Sequence, residues 1–173
     1  RQSGKSTLIL SASTHRASAG KFFGGRQRIV YTAQTRNKAR EKFEEDFAPD
    51  LQASRELGRR VKTHWGNGNE HIRFSNGSRF SIEANTDKAG HGGTLDLSFI
   101  DEAFAQADAR LEQAFRPAMI TRDNTQLWWV STAGWLDGSP YLLDKSRAGR
   151  DQADMGIRDG LAYFEWSAPE DAD

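Results

Sequence analysis

Short apolar runs bounded by polar or glycine-rich stretches alternate along this chain with segments of helical spacing. The most telling run is Asp96-Leu97-Ser98-Phe99-Ile100-Asp101-Glu102-Ala103, where Leu97, Phe99 and Ile100 are followed at once by two carboxylates. A continuous apolar run of this length predicts a strand buried in a parallel sheet, and such sheets present ligands at the carboxyl ends of their strands. Arg28 to Ala33, centred on Ile29, Val30 and Tyr31, predicts a second such strand, and Gln126 to Val130 a third buried one. A helix is predicted from about Thr35, with Ala39, Phe43 and Phe47 on one face and Pro49 in its last turn or at its end. Its basic residues, Arg36, Lys38, Arg40 and Lys42, read as a solvated face.

Residues 71–84 predict a β-hairpin about Asn76-Gly77. A three-residue loop, Asn76-Gly77-Ser78, pairs Phe74 with Phe80 and Ile72 with Ile82 and so gathers one apolar face; a two-residue loop splits it. Ala17 to Arg26 and Asp87 to Thr94 are glycine-bearing loops. Ala105 to Arg116 predicts an amphipathic helix closed by Pro117, Ser139-Pro140 opens another that runs to about Arg150, and Leu161 to Trp166 predicts a last strand.

Composition adds little. The 173 residues fit one domain, and 24 Lys plus Arg balance 24 Asp plus Glu, so net charge points to no partner. The absence of cysteine excludes disulfides and thiolate metal sites, and no apolar run approaches a membrane span. These features read as a soluble, cytoplasmic protein. The chain opens without Met, inside a motif, and reads as a fragment: one domain over 1–166 and the start of an acidic linker over 167–173.

The candidate chemistry lies at three places. Gly4-Lys5-Ser6-Thr7, preceded by Arg1-Gln2-Ser3, has the second half of a phosphate-binding loop. Gly4 lets backbone N–H groups approach phosphate, Lys5 reaches the outer phosphate oxygens, and Ser6 offers a hydroxyl to Mg²⁺ at a helix N-terminus. Downstream, Asp101 suits a metal shell and Glu102 a base that polarises water. The plainer alternative is that Asp101 caps the next helix and Glu102 favours its first turn. Ser131 and Thr132, at the tip of the Gln126–Val130 strand, either sense a phosphate or cap the next element. Together the motifs predict an α/β P-loop NTPase fold of RecA-like (ASCE) type, a mostly parallel sheet flanked by helices, with a β-hairpin insertion around 71–84.

In order along the chain, these motifs resemble the large terminase subunit of tailed bacteriophages, specifically its N-terminal packaging ATPase. The resemblance is carried by Arg1-Gln2-Ser3-Gly4-Lys5-Ser6, like the family's Arg-Gln-containing Walker A motif; by Tyr31-Thr32-Ala33-Gln34-Thr35; by Asp96 to Ala103, like its Walker B motif with catalytic Glu; and by Ser131-Thr132-Ala133-Gly134, like its coupling motif. It implies ATP and Mg²⁺ as cofactors. ATP would be held by Gln2, Ser3, Gly4, Lys5, Ser6 and Thr7, and Mg²⁺ organised by Ser6 and Asp101. Glu102 would activate water, Arg1 would contact phosphate or sense its loss, and Ser131 and Thr132 would couple hydrolysis to movement. Some members carry an arginine finger eleven residues before the catalytic Glu; here that position is His91, so His91 and nearby Lys88 are the candidates for a trans-acting or sensor role.

The implied partners are double-stranded DNA, the portal protein, a small terminase subunit and further copies in a ring, in the host cell cytoplasm and away from any membrane. The family's adenine-contacting segment and nuclease domain have no counterpart here, so DNA cleavage is not expected. A RecA-like helicase, or an inactive prophage remnant, remains an alternative.

Overall fold

The computed structural model describes residues 4–66, 68–84, 93–133, 138–158 and 160–166. Six strands form one sheet: β1 (Arg28–Thr32), β2 (Val61–His64), β3 (His71–Phe74), β4 (Arg79–Ile82), β5 (Leu97–Asp101) and β6 (Gln126–Val130), in the order β2-β3-β4-β1-β5-β6. β4, β1, β5 and β6 run parallel, while β2 and β3 are antiparallel to their neighbours. Every residue of β5 is buried, as a strand covered on both faces requires. Strand alternation divides the core. Ile29, Tyr31, Leu97, Phe99 and Phe80 face a cluster shared with α1 (Lys5–Ser18), α2 (Arg36–Lys42) and α3 (Ala48–Ala53). Val30 and Ile100 face the other side, where α4 (Arg110–Met119) contributes Leu111, Phe115 and Met119. α5 (Pro140–Asp154) completes the helices.

The predicted helix after Thr35 is present, with the Thr35 side chain accepting from the Lys38 N–H at its start. Between α2 and α3 it widens into a π turn, Phe43–Phe47, in which the Ala48 N–H reaches the Phe43 carbonyl. Pro49 neither ends the helix nor sits in its last turn. Its missing N–H and its ring are incompatible with a regular bond back to Glu45, and the preceding turn opens where that bond is lost. The wider turn brings Phe43 and Phe47, both fully buried, onto Tyr31 and Phe80.

Several expectations are corrected. The hairpin is part of the main sheet, β4 pairing with β1, and β2 adds an edge strand that the sequence pattern did not reveal. Its loop has three residues but lies one position earlier than predicted: Ile72 pairs with Phe80 and Phe74 faces Ser78. Moving the register by an even number keeps Ile72, Phe74, Phe80 and Ile82 on one buried face. Gly77, at φ 86, supplies the left-handed residue such a loop needs, which decides the register.

α4 begins at Arg110 rather than Ala105, because a short 3-10 turn (Ala103–Ala105) ends in extended Gln106. It also passes through Pro117 to Met119, Pro117 giving up the bond back to Gln113. β6 is half-buried rather than buried, being the last strand of the sheet among the described residues. Residues 160–166 form no strand. Glu165 instead pairs with Arg150 of α5 at 2.6 and 2.9 Å, and Tyr163 lies so close to Gly149 that a Cβ there would come within 2.3 Å of its ring.

Candidate nucleotide site at the carboxyl edge of the sheet

Gly4 adopts φ 78, a conformation that non-glycine residues rarely take, and from it the chain enters α1 with Lys5 as its first residue. Among the described residues nothing lies within 4 Å of where a Gly4 Cβ would be, so the backbone conformation is what calls for glycine there. Ser6, half-buried, and Thr7, exposed, follow in the first turn. The N-terminus of α1 thus carries N–H groups without helical partners.

β5 delivers its two acids to the same place. Lys5 Nζ lies 3.5 Å from Glu102 Oε1, both side chains being partly exposed. Asp101 is buried, its Oδ2 accepting from the Tyr31 hydroxyl at 2.8 Å and its Oδ1 from the Glu102 N–H at 2.9 Å. The second bond reaches only the next residue and caps no helix, because the 3-10 turn that follows starts from Glu102 without a side-chain cap bond. Glu102 itself has φ 56, a left-handed conformation in a non-glycine residue and a local cost on the order of 1–3 kcal/mol.

Tyr31 is the residue that sequence reasoning missed as part of the site. Its ring stands in β1, stacked on Phe43 and edge-on to Phe47, which fixes the hydroxyl against Asp101. Burial first, and then the Asp101 charge, push the Tyr31 hydroxyl far above the usual phenol range, so it acts only as a donor to that carboxylate. The available signal was register: Tyr31 pairs with Phe99, two residues before Asp101, on the same face of the sheet.

Ser131, just beyond β6, accepts from the Phe104 N–H at 3.0 Å and donates to the Thr132 carbonyl at 2.6 Å. The end of β6 is thereby tied to the turn that follows Glu102. Lys5, Asp101, Glu102 and Ser131 are therefore brought together, with Ser6 and Thr7 in the turn that starts at Lys5. Arg1, Gln2, Ser3, Lys88 and His91 lie outside the described residues.

The opposite end of β5 is braced. Asp96, fully buried, accepts from the Arg28 N–H at 2.7 Å and from Arg122 Nε at 2.8 Å. Arg16 of α1 donates to Gln27 at 2.7 Å and to the Asn124 carbonyl, and its guanidinium lies 4.1 Å from the Phe23 ring centre. α1 and the start of β1 are thus locked to the segment that leads into β6, so the site is held by a rigid frame.

Among the described residues no three His, Cys, Asp or Glu side chains cluster as a metal site. The donors present are a hydroxyl at Ser6 and a carboxylate at Asp101, hard oxygens of the kind Mg²⁺ takes when water and phosphate complete its shell.

A glycine-led helix start facing a strand that ends in two acids, at the carboxyl edge of a mostly parallel sheet, defines an α/β protein of P-loop fold. Residues 1–134 match the family model for the terminase large subunit, T4likevirus-type, N-terminal, and the chain belongs to that family. No curated protein sequence matches.

Among solved structures, the HK97 bacteriophage large terminase superposes with a TM-score of 0.78 at 21% identity, over 100% of this chain and 35% of that one. The large terminase of a thermophilic bacteriophage in complex with ADP gives 0.57 at 20%, over 75% and 31%. The Thermus phage P74-26 large terminase ATPase domain gives 0.56 at 22%, over 79% and 58%. The chain spans about a third of the length of the HK97 protein.

Proposed function

We propose that this chain is the ATP-hydrolysing part of a phage DNA-packaging motor that drives double-stranded DNA into a procapsid. The observation that carries the reading is the meeting of Lys5 with Glu102 beside Asp101 at the carboxyl edge of the sheet. Family membership supports it, as do the fold relatives, one described as an ATPase domain and another as a complex with ADP.

ATP phosphates would lie over the N-terminus of α1, held by Gly4, Lys5, Ser6 and Thr7 together with Gln2 and Ser3, with Arg1 on a phosphate oxygen. Ser6 and Asp101 would hold Mg²⁺, which supplies charge neutralisation at the phosphates. A phosphate oxygen competes with Glu102 for the Lys5 ammonium. Once Lys5 turns to phosphate, the Glu102 carboxylate is free to accept a proton from the attacking water. Ser131, already bonded to the turn after Glu102, would carry the change toward β6, with Thr132 beside it. His91 or Lys88 would serve a neighbouring copy's site in a ring on the portal, to which a small terminase subunit brings DNA.

The test is DNA-stimulated ATP hydrolysis by the chain and by Glu102→Ala. The expected result is that the variant binds ATP and turns it over at least about 100-fold more slowly. Equal turnover would reduce Glu102 to a residue that starts the 3-10 turn, and absence of ATP binding by both would favour an inactive remnant.

A further inference from the structure

The sheet has two faces, and over its antiparallel half the described residues cover only one. Ile72, Phe74, Phe80 and Ile82 point into the core beneath α1, α2 and α3. Residues of opposite parity point the other way. On that face the pairing puts Lys62 opposite Arg73, Arg73 opposite Arg79, and Arg79 opposite Arg28. Four cations thus stand in one row across β2, β3, β4 and β1.

Lys62, Arg73 and Arg28 are exposed and Arg79 is partly so. Among the described residues none of the four has a carboxylate partner within ion-pair distance. Arg79 instead donates to the Asn69 side chain at 2.5 Å. The row ends at Asp96, whose carboxylate is occupied by the Arg28 N–H and by Arg122. Glu83, further along β4's direction, acts on Arg79 only at a distance. The next row is His64 opposite His71, ring centres 5.0 Å apart, and then Ser81.

Like charges directly opposite on neighbouring strands destabilise a sheet. A row of four has no packing rationale, and it suits a surface whose counter-charges come from another molecule. Strands lie about 4.8 Å apart, so the row is about 14 Å long, the length over which one strand of a duplex carries about four phosphates. Over β2, β3 and β4 the described positions of this face hold no Phe, Tyr or Trp on which unpaired bases could stack, which favours a duplex backbone over a single strand.

We infer that Lys62, Arg73, Arg79 and Arg28 form a docking surface for the phosphate backbone of double-stranded DNA, read without regard to sequence. The identity of the polyanion rests on the packaging reading; the surface does not.

The test is binding of the chain, without nucleotide, to two fluorescent duplexes of unrelated sequence across a salt series. Lys62→Ala with Arg73→Ala is compared with Arg147→Ala with Arg158→Ala, an equal change of charge at exposed positions in and after α5. The row variant is expected to bind both duplexes about 10- to 100-fold more weakly at about 0.1 M salt, with a log–log salt slope lower by about 2, while the control pair changes binding less than about threefold. Its melting temperature should not fall, because repulsion is relieved.

Equal losses in the two variants, or no loss in the row variant, would overturn the inference. So would loss of binding to polyglutamate with duplex binding intact, which would mark an acidic protein partner. Because nucleotide is absent, a failed ATPase reading leaves this result unaffected, and a failed docking surface leaves the Glu102 test intact.

Discussion

Lys5 Nζ and Glu102 Oε1 lie 3.5 Å apart, joining the first residue of α1 to the residue that follows β5. On the proposed reading the pair holds the Glu102 carboxylate against Lys5 until a nucleotide arrives, and ATP would have to displace Glu102 from Lys5. Glu102→Gln should therefore bind an ATP analogue about 2- to 5-fold more tightly than the parent chain, the range expected for losing a competitor in a partly exposed ion pair. Fluorescence titration with a non-hydrolysable analogue measures this. Unchanged affinity would mean that the pair does not oppose binding.

Tyr31→Phe removes one hydroxyl and leaves the ring packed on Phe43 and Phe47. The Asp101 carboxylate then loses a buried donor, and the expected cost is about 1.5 kcal/mol, read as a lower urea midpoint. The same variant should need more Mg²⁺ for half-maximal ATP turnover while its Mg²⁺-free nucleotide binding is unchanged. A stability loss with no change in Mg²⁺ requirement would leave Tyr31 a core residue only.

At the other end of β5, Arg122→Ala leaves the Asp96 carboxylate buried with the Arg28 N–H as its remaining donor among the described residues. The expected loss is about 3 kcal/mol, since a buried charge without its partner is costly. Asp96→Asn, which keeps the shape and removes the charge, should cost less. Urea unfolding of the two variants side by side checks the order, and a reversed order would show that packing rather than charge sets the cost.

Glu112 on α4 accepts from Arg116 at 2.8 and 2.6 Å, from Lys145 at 2.8 Å and from the Tyr141 hydroxyl at 3.1 Å. Burial pushes its carboxyl upward, but hydrogen bonds from Lys145 and Arg116, with their charges, outweigh that and hold it below its ordinary value. A depressed carboxyl contributes stability that is fully present above its unfolded value, near 4.5, and is lost as pH falls through the lower folded value. Stability should therefore decline below about pH 4.5, and Glu112→Gln should flatten that decline. Urea midpoints at about pH 7 and about pH 3.5 measure it, and equal slopes for parent and variant would exclude Glu112 as a source.

Much of the site was legible because its parts are local. Gly4-Lys5-Ser6 encodes its own turn through glycine and helix-start chemistry, and Leu97 to Glu102 encodes a buried strand with acids at its end, both through residues adjacent in the chain. The apolar parity of Ile72, Phe74, Phe80 and Ile82 fixed which face of the hairpin is buried, since strand alternation survives an even shift of register. Tertiary structure alone decided what long-range pairing controls. Tyr31 meets Asp101 because β1 lies beside β5, α4 starts late because Gln106 is drawn extended after the turn at Glu102, and the residues 161–166 lie along α5 because no described strand stands beside them. The row from Lys62 to Arg28 belongs to the same class: each cation is an ordinary surface residue in its own segment, and only the pairing of four strands sets them side by side.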